Sequence, residues 1–157
     1  MQNQIHINIA VDVIKALSEQ QLENNIYMMD DSILESSGQG TERLCTLCKP
    51  GQTIRWTVYA LDLQTPVVIR NISFATLSGK PEHKTALSMS CLEEANPDSN
   101  EWAGVLPLIM EGHKYKYHIE LQMGKGRHSC LIIDTPSLMY INSYLEEKDR
   151  LFNGKNK

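Results

Sequence analysis

Residues 36–56 (SSGQGTERLCTLCKPGQTIRW) constrain the fold more than any other part of the chain. The Gly-Gln-Gly sequence at 38–40 predicts a turn in which positive φ costs little. The Lys-Pro-Gly-Gln sequence at 49–52 has the residues of a type II turn, with Pro presetting φ and Gly accepting positive φ. The stretches 41–48 and 53–59 are predicted strands, and we expect the second turn to join them as antiparallel neighbours.

Period-two alternation of apolar and polar residues predicts further strands at both ends of the chain. Residues 5–13 alternate Ile or Val with mostly polar side chains, and residues 115–123 repeat the pattern. The second of these is followed by a glycine turn and an apolar run at 129–134, which predicts a hairpin. Trp56 lies on the same strand face as its apolar neighbours two residues away, so we expect it in the core.

Seven or more short strands separated by turn signals, without alternating long helices, predict an all-β antiparallel sandwich, jelly-roll-like or Ig-like, with at most short helices. Residues 14–25 form the helix candidate, beginning near Ser18, where Gln21 would complete a capping box. A loop with one helical turn is the alternative. The 157 residues fit a single domain spanning 1–157, large enough to bury a core without disulfides.

Charge and the amino-terminal sequence limit the classes of partner. A net charge of −4 is too small to suggest a polyanion partner, and we expect no nucleic-acid binding. The start, MQNQIHINIA, has neither a basic region nor a long apolar run, so we expect no signal peptide, no membrane insertion and a cytoplasmic location. Four cysteines in such a chain are expected to remain reduced.

The sequence contains no motif of a known catalytic or cofactor site. Cys45 and Cys48 have CxxC spacing, but positions three apart on a strand face opposite ways, which argues against a shared metal. The Pro-Gly turn after them prevents the helix that a thioredoxin-like site requires. No GxSxG, HExxH, P-loop or GxGxxG pattern is present. We therefore expect no enzyme activity, no catalytic residue, no metal and no cofactor.

A loop rich in oxygen ligands precedes the second tryptophan and predicts a sugar site. Trp102 follows Asp98, Asn100 and Glu101, and an aromatic ring beside such acceptors is typical of carbohydrate binding. We include His113 in this predicted site. The alternative is that Trp102 packs over one end of the core as a lid.

Five segments in order along the chain together carry a family resemblance. They are VDV at 11–13, IYMMDDS at 26–32, SGQGT at 37–41, KPGQTIRW at 49–56 and IIDTPSL at 132–138. With this order and spacing the chain resembles the AidA/PixA family of bacterial inclusion-body proteins. The resemblance implies a cytoplasmic β-sandwich protein, and some PixA-like members are lectins that prefer galactosides. It carries over no binding residue.

Together these observations predict a non-enzymatic PixA-like carbohydrate-binding protein, a lectin for galactose-containing glycans in host or symbiont interaction. We expect a homo-oligomer, most simply a dimer, because weak single-site sugar affinity gains from multivalency. The alternative is an intracellular crystalline inclusion or storage protein without a ligand.

Overall fold

The computed structural model describes residues 2–76, 90–91, 99–106 and 114–141. These residues form ten strands and one helix of seven residues. The helix is α1 (Val13–Glu19), and the strands are β1 (Gln4–Val11), β2 (Ile26–Asp30), β3 (Cys45–Cys48), β4 (Thr53–Ala60), β5 (Val67–Thr76), β6 (Ser90–Cys91), β7 (Glu101–Val105), β8 (Lys114–Met123), β9 (Cys130–Ile133) and β10 (Ser137–Tyr140). No helix within these ranges has the length and apolar character needed to cross a membrane.

Two sheets share the core, so the predicted all-β, sandwich-like fold is confirmed. Sheet A has the strand order β2-β1-β4-β7-β6, and sheet B has the order β3-β10-β8-β5, with β9 also paired to β8. Both sheets are mixed, whereas the sequence predicts antiparallel pairing. The chain runs through β2, enters sheet B as β3, and returns to sheet A as β4 on the other side of β1. As a result β4 runs parallel to β1, and β3 likewise runs parallel to β10.

The turn at 49–52 forms, but the prediction that it joins antiparallel neighbours is wrong. Gln52 N donates to Lys49 O at 3.4 Å, and Gln52 Oε1 accepts from Lys49 N at 2.6 Å. The strands on either side belong to different sheets, because β3 pairs with β10 while β4 pairs with β1 and β7. Crossing between sheets places the apolar faces of the two strands on opposite sides of one core.

The helix begins five residues before the predicted start at Ser18. Asp12 is the N-cap, and its Oδ1 accepts a hydrogen bond from Lys15 N at 3.1 Å, which satisfies one of the free amides of the first turn. Gln20 ends the helix in the left-handed conformation, with φ of 56°. The Asp12 cap therefore fixes the start, and Ser18 lies in the last turn.

The core lies between the sheets and follows the predicted alternation. Trp56 is completely buried, as predicted, and its Nε1 donates to the Tyr117 hydroxyl oxygen at 3.3 Å. The Phe74 ring lies 5.3 Å from the Tyr117 ring and completes an aromatic cluster. The predicted hairpin is also confirmed, since β8 and β9 pair antiparallel. The alternating outward residues of sheet A are thus left to form a surface.

Candidate functional site

Three of the five predicted sugar-site residues lie in the described part of the chain. Asp98 and His113 are outside the described residues, so their part of the prediction is not tested by the structure. Asn100 lies at the end of sheet A, where its backbone oxygen accepts from Val58 N at 2.9 Å and its Nδ2 donates to Val58 O at 3.3 Å. These bonds fix Asn100 beside the end of β4.

Glu101 and Trp102 are neighbours in β7 and therefore face opposite sides of sheet A. Trp102 pairs in register with Trp56 and packs, partly buried, against the core. Glu101 faces outward and forms an ion pair with Arg55 at 3.2 Å. Trp102 is thus a strand residue on the core-facing side, and the structure does not bring its ring together with the Glu101 carboxylate.

A row of three residues crosses the outer face of sheet A. Ala10 of β1 is in register with Tyr27 of β2 on one side and Tyr59 of β4 on the other. Both tyrosines are exposed, by 42% and 52%. Neighbouring strands lie about 4.8 Å apart, so the two tyrosine backbones are about 10 Å apart across Ala10. We call this arrangement the tyrosine row. The small side chain of Ala10 lies between the two tyrosines.

Polar side chains lie beside the tyrosine row. Two residues along each strand, at the next position on the same face, Asn8 is in register with Met29 and Thr57, and Thr57 is in register with Glu101. The predicted site residue Glu101 therefore shares this outer face with the tyrosines, although its strand, β7, lies three strands from β2. The face combines apolar area with hydrogen-bonding groups.

An open hollow of about 410 Å³ adjoins Tyr59 at the end of the sandwich. It lies against the connection between β4 and β5, and its polar lining includes Asp62, Thr65 and Asn100. Asp62 Oδ2 accepts from Thr65 N at 3.1 Å, whereas its buried Oδ1 has no hydrogen-bond partner among the described residues. We call this feature the end hollow.

A histidine and an aspartate meet at the opposite end of the outer face. His6 Nδ1 lies 3.1 Å from Asp31 Oδ2, and His6 N donates to Asp31 Oδ1 at 2.8 Å. Gln4 Nε2 lies 2.9 Å from the other ring nitrogen of His6. With both nitrogens engaged, the imidazole is held as a fixed polar group on this face.

The Cys48 and Cys130 thiols are not poised as nucleophiles. Burial raises the pKa of Cys48 to about 12, with further contributions from Cys45 and Asp30. Burial also raises the pKa of Cys130 to about 11, and Glu120 adds to this by accepting from its Sγ at 3.0 Å. Both thiols are therefore protonated near neutral pH. The form that attacks a substrate or binds a metal is the thiolate.

Metal-binding geometry is also missing from what the structure describes. Across residues 2–76, 90–91, 99–106 and 114–141, no three His, Cys, Asp or Glu side chains are grouped so that they could hold an ion.

Sequence reasoning missed the tyrosine row because its members come from three strands whose spatial order differs from their chain order. Tyr27 and Tyr59 each occupy an outward position in a strand with a buried opposite face. A large aromatic at a solvent-facing strand position was the available signal. Their common alignment with Ala10 depends on the parallel pairing of β1 and β4, which local patterns do not specify.

Comparison with known families places the chain in one whose function is undefined. Residues 3–129 match the model of a domain of unknown function (DUF8788), so the chain belongs to that family. No curated protein matches the sequence significantly.

Proposed function

We propose that this member of the DUF8788 family is a non-enzymatic carbohydrate-binding protein whose ligand contacts the tyrosine row and the end hollow. The observation that carries the proposal is the pair of exposed tyrosines on either side of Ala10. Tyrosine combines an apolar ring with a hydroxyl, and it supplies contact area at low entropic cost because it has few rotatable bonds.

Sugar chemistry fits such a surface. One face of a hexose presents carbon–hydrogen groups that pack on an aromatic ring, while its hydroxyls require directed donors and acceptors. Asp62, Thr65 and Asn100 give the end hollow next to Tyr59 a partly polar lining. Glu101 adds a carboxylate on the outer face. A site this open and shallow suits weak, repeated contacts with glycans on a surface.

Galactose-containing glycans are the proposed ligands, and host or symbiont glycans the proposed setting. This part of the proposal is supported by the resemblance of the IYMMDDS and SGQGT segments to the AidA/PixA family. Asp98 and His113 stay in the proposed site as predictions from the sequence. Trp102 does not contribute a stacking ring in this proposal, since it packs against the core.

A glycan array tests the proposal. The wild-type protein and the variants Tyr59→Ala and Ile132→Ala are labelled and applied at equal concentration. Ile132 is the matched control, because it is an exposed apolar residue on β9 in the other sheet. We expect wild type and Ile132→Ala to bind galactose-terminated glycans and Tyr59→Ala to lose about five- to thirtyfold in affinity, since an aromatic contact is worth on the order of 1–2 kcal/mol.

Binding to no glycan by folded wild-type protein would contradict carbohydrate binding altogether. Equal loss in Tyr59→Ala and Ile132→Ala would contradict the assignment to sheet A. Circular dichroism of each variant confirms that the comparison is made between folded proteins.

The second candidate is an intracellular inclusion or storage protein without a ligand. The observation that favours it is a set of exposed apolar side chains in addition to the tyrosine row, which would suit packing between chains. They are Ile14, Ile33, Leu61, Leu63 and Ile132. Ordered inclusions in the producing cell, together with an empty glycan array, would favour this function over the first.

A further inference from the structure

The β2 strand lies at one edge of sheet A, and edge strands offer unpaired backbone groups to other chains. In β2, the backbone groups of Met28 and Asp30 point away from β1, since both bond to residues of the loop that follows. This loop, residues 38–40, is the Gly-Gln-Gly turn of the sequence. We call it the edge loop.

Gln39 binds the free edge through its side-chain amide in the way that a neighbouring strand would bind it. Its Oε1 accepts from Asp30 N at 3.0 Å, and its Nε2 lies 3.4 Å from Asp30 O. The same Nε2 donates to Asp30 Oδ1 at 3.0 Å. Next to it, Gly40 N donates to Met28 O at 2.7 Å. The edge loop therefore bonds to backbone groups of both Met28 and Asp30 on the side of β2 that points away from β1.

The base of the edge loop is fixed. Gly38 O accepts from both Thr41 N and Thr41 Oγ1, at 3.1 and 2.7 Å. Gly38 has a φ of 74°, and a Cβ at this position would lie 2.5 Å from Arg43 O. Glycine is thus required for the close approach that aims Gln39 at β2.

The sequence of β2 is complementary to a second copy of itself. If two β2 strands pair antiparallel about Met28, Tyr27 of each copy lies opposite Met29 of the other. Both residues are exposed on the outer face in one copy, and sulfur–aromatic contacts of this kind are favourable. Asp30, the charged residue of the strand, lies opposite Ile26 and not opposite the other Asp30. The pairing is symmetric and closes as a dimer.

We infer that the β2 edge is a self-pairing surface for a second copy of this chain, held closed by the edge loop through Gln39 and Gly40. Release of both residues from β2 frees the edge, and two copies then join their A sheets through antiparallel β2 strands. Loss of the Gln39 bonds favours this release. This inference does not depend on carbohydrate binding.

The test compares Gln39→Ala with Gln64→Ala, an exposed glutamine between β4 and β5. Sedimentation equilibrium gives the dimerisation constant of each protein. We expect Gln39→Ala to dimerise about tenfold or more tightly than wild type, because each lost hydrogen bond that holds the edge closed is worth on the order of 1 kcal/mol. Gln64→Ala should match wild type. Adding Met29→Lys, which places a charge opposite Tyr27, should reverse the gain.

A second readout is amide hydrogen exchange at Asp30. In Gln39→Ala this amide should lose protection at low protein concentration and regain it as concentration rises. Gln39→Glu provides a second variant, since a carboxylate cannot donate to Asp30 O and repels its side chain. Dimerisation of Gln39→Ala and Gln39→Glu equal to that of Gln64→Ala would overturn the inference. So would a gain that Met29→Lys leaves intact, or Asp30 protection that is independent of Gln39.

Discussion

Alanine substitutions at Gly38 and Gly40 form a matched pair. Their stabilities measure how strongly the edge loop depends on glycine at position 38. Gly38 and Gly40 have nearly equal φ values, 74° and 79°, so alanine at either position meets the same left-handed backbone cost. That cost is about 1–2 kcal/mol. The two positions differ in space: a Cβ on Gly38 would lie 2.5 Å from Arg43 O, whereas a Cβ on Gly40 would meet no atom within 4 Å.

The difference between the two variants therefore isolates the close approach. The contact at Gly38 is with backbone, which cannot rotate away as a flexible side chain would, and overpacking of this kind costs about 1–3 kcal/mol. We expect Gly38→Ala to lower the free energy of unfolding by about 2–5 kcal/mol and Gly40→Ala by about 1–2 kcal/mol. Urea denaturation followed by tryptophan fluorescence, with Trp56 in the core, measures both.

The reasoning would be refuted if Gly38→Ala were no less stable than Gly40→Ala. Equal values would mean that the loop relaxes without cost and that its shape does not depend on glycine at position 38. A change in the m value of Gly38→Ala alone would indicate altered exposure in the unfolded or native state and would require the comparison to be made by thermal unfolding.

Three further predictions follow from single contacts. Asp12→Ala should lower the free energy of unfolding by about 1 kcal/mol in a urea titration, because it removes the cap on Lys15 N; Asp12→Ser should restore most of it. Trp102→Ala should cost about 2–3 kcal/mol in the same assay, since the ring packs on the core; a loss below about 0.5 kcal/mol would instead indicate a free surface ring. The folded Cys48 thiol has its pKa raised to about 12 from 9.0. Its contribution to stability is therefore complete below pH 9 and is lost as the pH rises toward 12; melting temperatures should fall over this range, and less steeply in Cys48→Ala.

Local patterns predicted those strands whose two faces differ clearly. Residues 5–13 and 115–123 alternate strictly enough that β1 and β8 follow from parity, and the hairpin to β9 follows from the turn between them. The burial of Trp56 follows in the same way. In each case the information lies within about twenty residues of the chain.

Pairing partners were not predictable at the same level. A Pro-Gly turn has the same local geometry whether the strands it joins share a sheet or cross between sheets. For β3 and β4 the outcome depends on β10 and β7, which are distant in sequence. The tyrosine row also depends on strand pairing that is not local in sequence. Tyr27 and Tyr59 flank Ala10 only because β4 pairs with β1 in parallel. The site prediction instead used residues adjacent in sequence, and strand parity separates Glu101 from Trp102.

The proposed function places a bound sugar on the outer face of sheet A next to Tyr59. This is tested by titrating isotope-labelled protein with methyl β-galactoside and following amide and side-chain NMR shifts. We predict saturable shifts concentrated at Ala10, Tyr27, Tyr59 and Asn100, with the amides of β9 unchanged. Shifts centred on another surface, or none at millimolar sugar, would contradict the account.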